Sequence, residues 1–181
     1  MNPRPLDPFA DNMAKDLDIL KKKAEKIKFL LLDVDGILTD GKIIIDSHGN
    51  ELKAFHIHDG HGIYLLKKAG IEAGIISGRS SKAVEYRAKE LNITEVYQGV
   101  LDKVSVYKQI KARYKLSDED VAFIGDDLID LPLLRMVGLS ATSADAVSDV
   151  KEAVDIITEK NGGEGAVREV IDFIMKTKDR P

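Results

Sequence analysis

Asp33 and Asp35 sit one residue apart at the end of an uninterrupted apolar run, 29–32, and Gly36 follows them directly. Such a run is the pattern of a strand buried on both faces of a parallel sheet. In an extended chain, positions i and i+2 point to the same side. The two carboxylates therefore face one ligand, unless the strand bends between them. Ligands of open α/β sheets bind outside the carboxyl ends of the strands. Two carboxylates there repel each other, and a hard, oxygen-bound cation is their natural companion. A strand followed by an Asx-Gly turn accounts for the same residues, so the rest of the chain decides.

Further clusters carry matching chemistry. Ser77-Gly78-Arg79 ends a second apolar run and precedes a helical stretch. Backbone N–H groups at a helix start favour anions, and Arg79 offers a bidentate grip on phosphate or carboxylate. An ordinary Ser N-cap is the plainer account. Lys103 opens another helical stretch, at the end where the macrodipole prefers anions. A lysine there makes sense if it holds one, although a solvated lysine is common. Asp126, Asp127 and Asp130 follow a further apolar run. His56, His58 and His61 invite a zinc reading, but no helical His pair with a third ligand is in view. A loop that meets an anionic substrate fits better, with Asp59 as N-cap of a helix over 62–69.

The elements that must hold these residues alternate in type. Strands are predicted at 29–32, 71–76, 95–97, 121–124, 137–140 and 153–157, with helices at 62–69, 82–91, 104–114 and 166–175. Alternation of this kind implies a parallel sheet with right-handed crossovers. The expected fold is α/β, a Rossmann-like parallel sheet with helices on both faces. Runs 42–46 and 51–55 flank a Gly-containing turn and read as a β-hairpin projecting after the first strand. Its isoleucines Ile43, Ile44 and Ile45 suggest a subunit interface. Residues 1–12 read as loosely ordered, and 13–26 as a short amphipathic helix. The chain divides into an extension, 1–26, and one domain, 27–181.

In such a sheet four strand ends meet along one edge. Carboxylates from two of them can hold Mg²⁺. Ser77 and Lys103 can neutralise and orient a phosphoryl group, and an ionised Asp can attack phosphorus.

Composition excludes other classes. The 181 residues are 44% hydrophobic and 32% charged, as in a globular protein with one good core. A formal charge of −4 leaves no basic footprint for nucleic acid. Without cysteine there is no disulfide and no thiolate ligand or nucleophile, which fits the cytoplasm. No apolar run reaches the roughly 18 residues of a membrane span. The first ten residues, with three prolines, are not a secretory signal.

The ordered set resembles the haloacid dehalogenase superfamily of phosphatases. The strings DVDG, TDG, LKAF, DGHGI, ISGR, YQG, DK, GDD and GGEGAVRE resemble, within it, the capless family acting on 3-deoxy-D-manno-octulosonate 8-phosphate. The match spans about residues 27–175, and GGEGAVRE is its most specific part. The resemblance implies a Mg²⁺-dependent phosphatase of lipopolysaccharide biosynthesis, a homotetramer whose neighbouring chains close each active site. It implies Asp33 as nucleophile and Asp35 as acid and base. Mg²⁺ falls to Asp33, the Asp35 carbonyl and Asp126, phosphoryl binding to Ser77 and Lys103, and supporting places to Asp127 and Asp130. Substrate contacts fall to Asp35, His56, Ile57, His58, Asp59, Gly60, Tyr64, Arg79, Arg87 and Lys103. At His58 and Tyr64 this chain departs from relatives that carry Arg, and neutral His pulls less on a carboxylate. A nonulosonate 9-phosphate is therefore the competing substrate. A non-catalytic module of the sialic-acid cytidylyltransferase type is the competing class, and the presence of Asp33, Asp35 and Lys103 argues against it.

Overall fold

A computed structural model describes the backbone of residues 8–178 and the side chains of residues 16–178. Helix α1 (Pro8–Lys26) leads into strand β1 (Phe29–Leu32), and the short hairpin β2 (Ile44–Ile45) and β3 (Glu51–Leu52) follows. Next come α2 (Ile57–Lys68), β4 (Glu72–Ile76), α3 (Lys82–Glu90), β5 (Glu95–Tyr97), α4 (Lys103–Tyr114) and β6 (Val121–Ile124). The chain ends with α5 (Leu131–Leu134), β7 (Leu139–Thr142), α6 (Ser148–Lys151), β8 (Ile156–Ile157) and α7 (Ala166–Lys178).

The six-stranded sheet has the order β5-β4-β1-β6-β7-β8, and every pairing in it is parallel. Strand β1 lies between β4 and β6 and is buried along its whole length. Its alternate side chains feed two cores. Leu30 and Leu32 pack with residues of α1, α2, α3 and α7, while Phe29 and Leu31 pack with residues of α4, α5 and α6. Helices thus cover both faces, which is why the strand reads as continuous apolar sequence. The chain runs from β1 to one side of the sheet through β4 and β5, then returns to β6 on the other side. The topological switch point therefore lies between β1 and β6, and the crevice beyond their carboxyl ends is where this architecture binds ligands.

Several sequence expectations need correction. Residues 8–12 are helical, because α1 starts at Pro8; proline suits a first helical turn, whose N–H groups have no intrahelical partner. Residues 1–7 lie outside the described residues. The hairpin strands are two residues each, with Asp46 accepting from the N–H groups of His48 and Asn50 in the turn between them. Strand β7 starts at Leu139 rather than 137, and β8 is only Ile156–Ile157. Helix α2 begins at Ile57, so Asp59 lies in its first turn and is not its N-cap. Asp59 instead accepts a hydrogen bond from the backbone N–H of Arg168 at 2.8 Å, capping α7 across the fold. Burial raises the pKa of Asp59. Among the described residues no helix is long and apolar enough to cross a membrane.

Candidate active site

A cleft of about 410 Å³ opens at the switch point and is lined by Asp33, Asp35, Gly41, Ser77, Gly78, Arg79, Leu101, Lys103, Asp126, Asp127 and Ile129. All four sequence clusters from the strand ends meet there. Asp33 follows β1, Ser77 and Arg79 follow β4, Lys103 opens α4 behind β5, and Asp126 follows β6.

Lys103 is the centre of charge. Its side chain is 1% exposed, and its ammonium lies 2.9 Å from Asp33 Oδ1 and 2.6 Å from Asp130 Oδ1. Asp130, itself 0% exposed, uses its other oxygen to accept from the N–H groups of Asp126 (3.1 Å) and Asp127 (3.3 Å). Asp130 therefore braces both the lysine and the loop that carries Asp126. Asp33, Asp126 and Asp130 bring carboxylate oxygens within 4.8 Å of one another. Burial pushes Asp126 up to about 8, and the charges of Asp33, Asp130 and Asp127 add to the rise. Burial also pushes Asp33 up to about 6 against the pull of Lys103, with Asp130 again raising it.

These residues fit a divalent cation. Asp126 Oδ1 is buried and has no hydrogen-bond partner. A buried acceptor without a partner is costly, and a hard cation satisfies it while relieving carboxylate repulsion. Asp130 already has bonds on both oxygens, so Asp33 and Asp126 are the carboxylates free to ligate.

The expectation that Asp33 and Asp35 share one direction fails in detail. The chain leaves the strand at Leu32 and turns through 35–38. Asp33 faces Lys103, while Asp35 accepts from Lys53 and lies 3.7 Å from Arg79 Nε. Both still line the one cleft. The turn is possible because Gly36 adopts φ +84°, and a methyl group there would overlap Asp126 Oδ2. The loop after β8 closes the back of this turn. A side chain at Gly162 would overlap the carbonyl oxygen of Gly36, and Ser143 donates to that same carbonyl at 3.2 Å. The Gly-Gly pair of the closing string is thus a close backbone contact with the DVDG turn.

Other residues predicted for substrate stand elsewhere in this chain. His56 and His58 line a separate cavity with Lys160, Gly165 and Arg168. Ile57 is exposed, Asp59 meets α7 through Oδ1 while its buried Oδ2 has no partner, and Tyr64 carries Lys68 over its ring. Arg87 lies close above Gly60 and pairs with Glu90 at 2.7 Å. Asp127 caps the following turn through Leu128 N–H. Sequence reasoning gave Lys53 and Glu51 no place at the site, although Lys53 stands inside the LKAF string.

The sheet order and the Asp–Lys–Asp constellation define a class, that of the haloacid dehalogenase-like hydrolases, and the profile of that family matches residues 92–171. The 3-deoxy-D-manno-octulosonate 8-phosphate phosphatase of Yersinia pestis is 44% identical over 163 residues, 90% of this chain and 87% of the relative. The crystal structure of the Yersinia pestis enzyme superposes with a TM-score of 0.88, at 44% identity over 90% of this chain and 88% of that one. The Moraxella catarrhalis phosphatase, solved in complex with magnesium, phosphate and KDO, superposes with a TM-score of 0.87 at 42% identity, covering 88% of this chain and 92% of that one. The chain belongs to the 3-deoxy-D-manno-octulosonate 8-phosphate phosphatase family of these hydrolases.

Proposed function

We propose that this chain is a Mg²⁺-dependent phosphatase that hydrolyses 3-deoxy-D-manno-octulosonate 8-phosphate to the free sugar acid and phosphate, in the cytoplasm, for lipopolysaccharide biosynthesis. The observation that carries the reading is the Asp33–Lys103 pair, 2.9 Å apart, in the cleft that Ser77 and Asp126 also line.

In this reading a carboxylate oxygen of Asp33 attacks phosphorus and the bond to the sugar oxygen breaks. Asp35 gives its proton to that leaving oxygen. Asp35 then takes a proton from water, whose oxygen attacks phosphorus and releases phosphate and free Asp33. Lys103 and Ser77 hold the phosphoryl oxygens, and Asp130 holds Lys103. Mg²⁺, held by Asp33, the main-chain carbonyl of Asp35 and Asp126, supplies charge neutralisation to the phosphoryl group. Asp127 and Asp130 support this set from behind.

The sugar end meets Arg79 and, in a homotetramer, the neighbouring chain's Arg87, segment 56–60 and Tyr64. Support for the shared pocket comes from the exposed isoleucines of the hairpin, Ile43, Ile44 and Ile45, and from the placing of His56 and His58 outside the chain's own cleft. Residues 27–181 act as the catalytic unit, with 1–26 as an extension to it.

A panel of sugar phosphates, assayed for phosphate release with Mg²⁺ and after exhaustive chelation, tests the proposal. The octulosonate 8-phosphate should be the best substrate, and only with metal present. Preference for a nonulosonate 9-phosphate, or full activity after chelation, would refute it.

A further inference from the structure

Lys53 lies just beyond β3, in a hairpin whose Ile44, Ile45 and Leu52 are exposed, yet its side chain is 1% exposed. Its ammonium donates to Asp35 Oδ1 and stands 2.8 Å from Glu51 Oε1. The other oxygen of Glu51 accepts from Arg79 Nη2 at 3.0 Å, and Arg79 Nε lies 3.7 Å from Asp35 Oδ2. The four side chains close a ring of alternating charge. They come from three places: the turn after β1, the hairpin and the end of β4. An unpaired buried ammonium is costly, so a lysine withdrawn from solvent in an exposed hairpin holds its place through these partners.

The ring addresses both oxygens of one carboxylate, and that carboxylate is the acid and base of the proposed reaction. An acid contributes only when held within hydrogen-bond reach of the departing oxygen, and small misplacements are expensive. We propose that Lys53 and Glu51 are positioning residues for Asp35. Lys53 fixes the carboxylate where the sugar oxygen leaves, and Glu51 fixes Lys53 and Arg79 on either side of it. The hairpin is then a catalytic support as well as an apolar projection. This rests on the reading of Asp35 as proton donor in a phosphatase.

The test compares two esters in the Lys53→Met variant. One is whichever sugar phosphate the wild-type enzyme hydrolyses best, with a poor alkoxide leaving group. The other is p-nitrophenyl phosphate, whose leaving group departs without a proton. In single-turnover measurements of leaving-group release, which precedes the water step that Asp35 also serves, a positioning role should slow release of the sugar roughly 100-fold and of p-nitrophenol no more than about threefold, because only the first needs the acid. KM should stay within about twofold on both, and Lys53→Arg should restore most of the loss. If Lys53→Met does not fold by circular dichroism, Glu51→Gln makes the same comparison with a smaller expected ratio. Equal losses in the rate of release from both esters, a rise in KM alone, or undiminished release of the sugar would overturn the proposal. A wrong choice of sugar would show in the wild-type panel, whereas a wrong role for Lys53 would show only in the ratio between esters.

Discussion

Lys103→Met removes the only cation that touches both Asp33 and Asp130 among the described contacts. Methionine has a similar length, so the main change is the lost charge and its two short bonds, at 2.9 and 2.6 Å. Removing one partner of a buried ion pair costs about 3–5 kcal/mol, because the other charge stays behind. Here Asp130 stays behind with no access to water. For a chain of this size each kcal/mol shifts Tm by roughly 2–4 °C, so the metal-free variant should melt about 6–20 °C below wild type. Loss of a preorganised donor to the phosphoryl oxygens should lower kcat by about 100- to 1,000-fold. Scanning calorimetry at pH 7.5 with and without Mg²⁺ reads the first effect. Added Mg²⁺ should recover part of the lost Tm, since it neutralises the same carboxylates, yet kcat should stay low. A metal-free Tm within about 2 °C of wild type, together with near-normal kcat, would refute the claim that Lys103 organises the site.

Gly36→Ala should weaken Mg²⁺ binding at least tenfold by calorimetric titration, because its φ is +84° and the added methyl group meets Asp126 Oδ2; unchanged affinity would mean that Asp126 does not ligate. The metal-free protein should lose stability as pH rises. Asp126 is raised to about 8 and Asp33 to about 6 from 3.8, so the folded state binds more protons than the unfolded state between those values. Stability from this source is complete below about pH 4 and is lost as pH climbs through about 8, and saturating Mg²⁺ should flatten or reverse the trend in melts taken across that range. Ile44→Asp, at an exposed hairpin position, should yield a smaller species by light scattering and a sharp fall in activity; an unchanged assembly would remove the hairpin from the interface.

The sequence was most informative where burial is two-sided. Residues 29–32 and 121–124 are strands at the boundaries the apolar runs imply. Strand β7 was harder, because Ser140 and Thr142 are polar yet buried: Thr142 donates to the carbonyl of Gly125, and Ser140 bonds Asp155. Those partners lie 17 and 15 residues away, where no local pattern records them. The cleft was legible because topology alone brings the ends of parallel strands to one edge. What escaped were contacts between elements. Asp59 looked like a local cap but serves α7, 109 residues later. Lys53 stood only as one letter of the LKAF string, yet it reaches Asp35. The Gly162-Gly163 pair stood only as the start of the GGEGAVRE string, whereas its lack of side chains lets it pack on the backbone of the DVDG turn.

In the proposed reaction Asp33 becomes covalently phosphorylated. Reducing the enzyme with borohydride during turnover, followed by peptide mass spectrometry, tests it most directly, because an acyl phosphate is reduced where a free carboxylate is not. Homoserine is expected at position 33, dependent on substrate and Mg²⁺ and absent from Asp33→Asn. Homoserine at Asp126 or another aspartate instead, or none at any position while turnover continues, would contradict it.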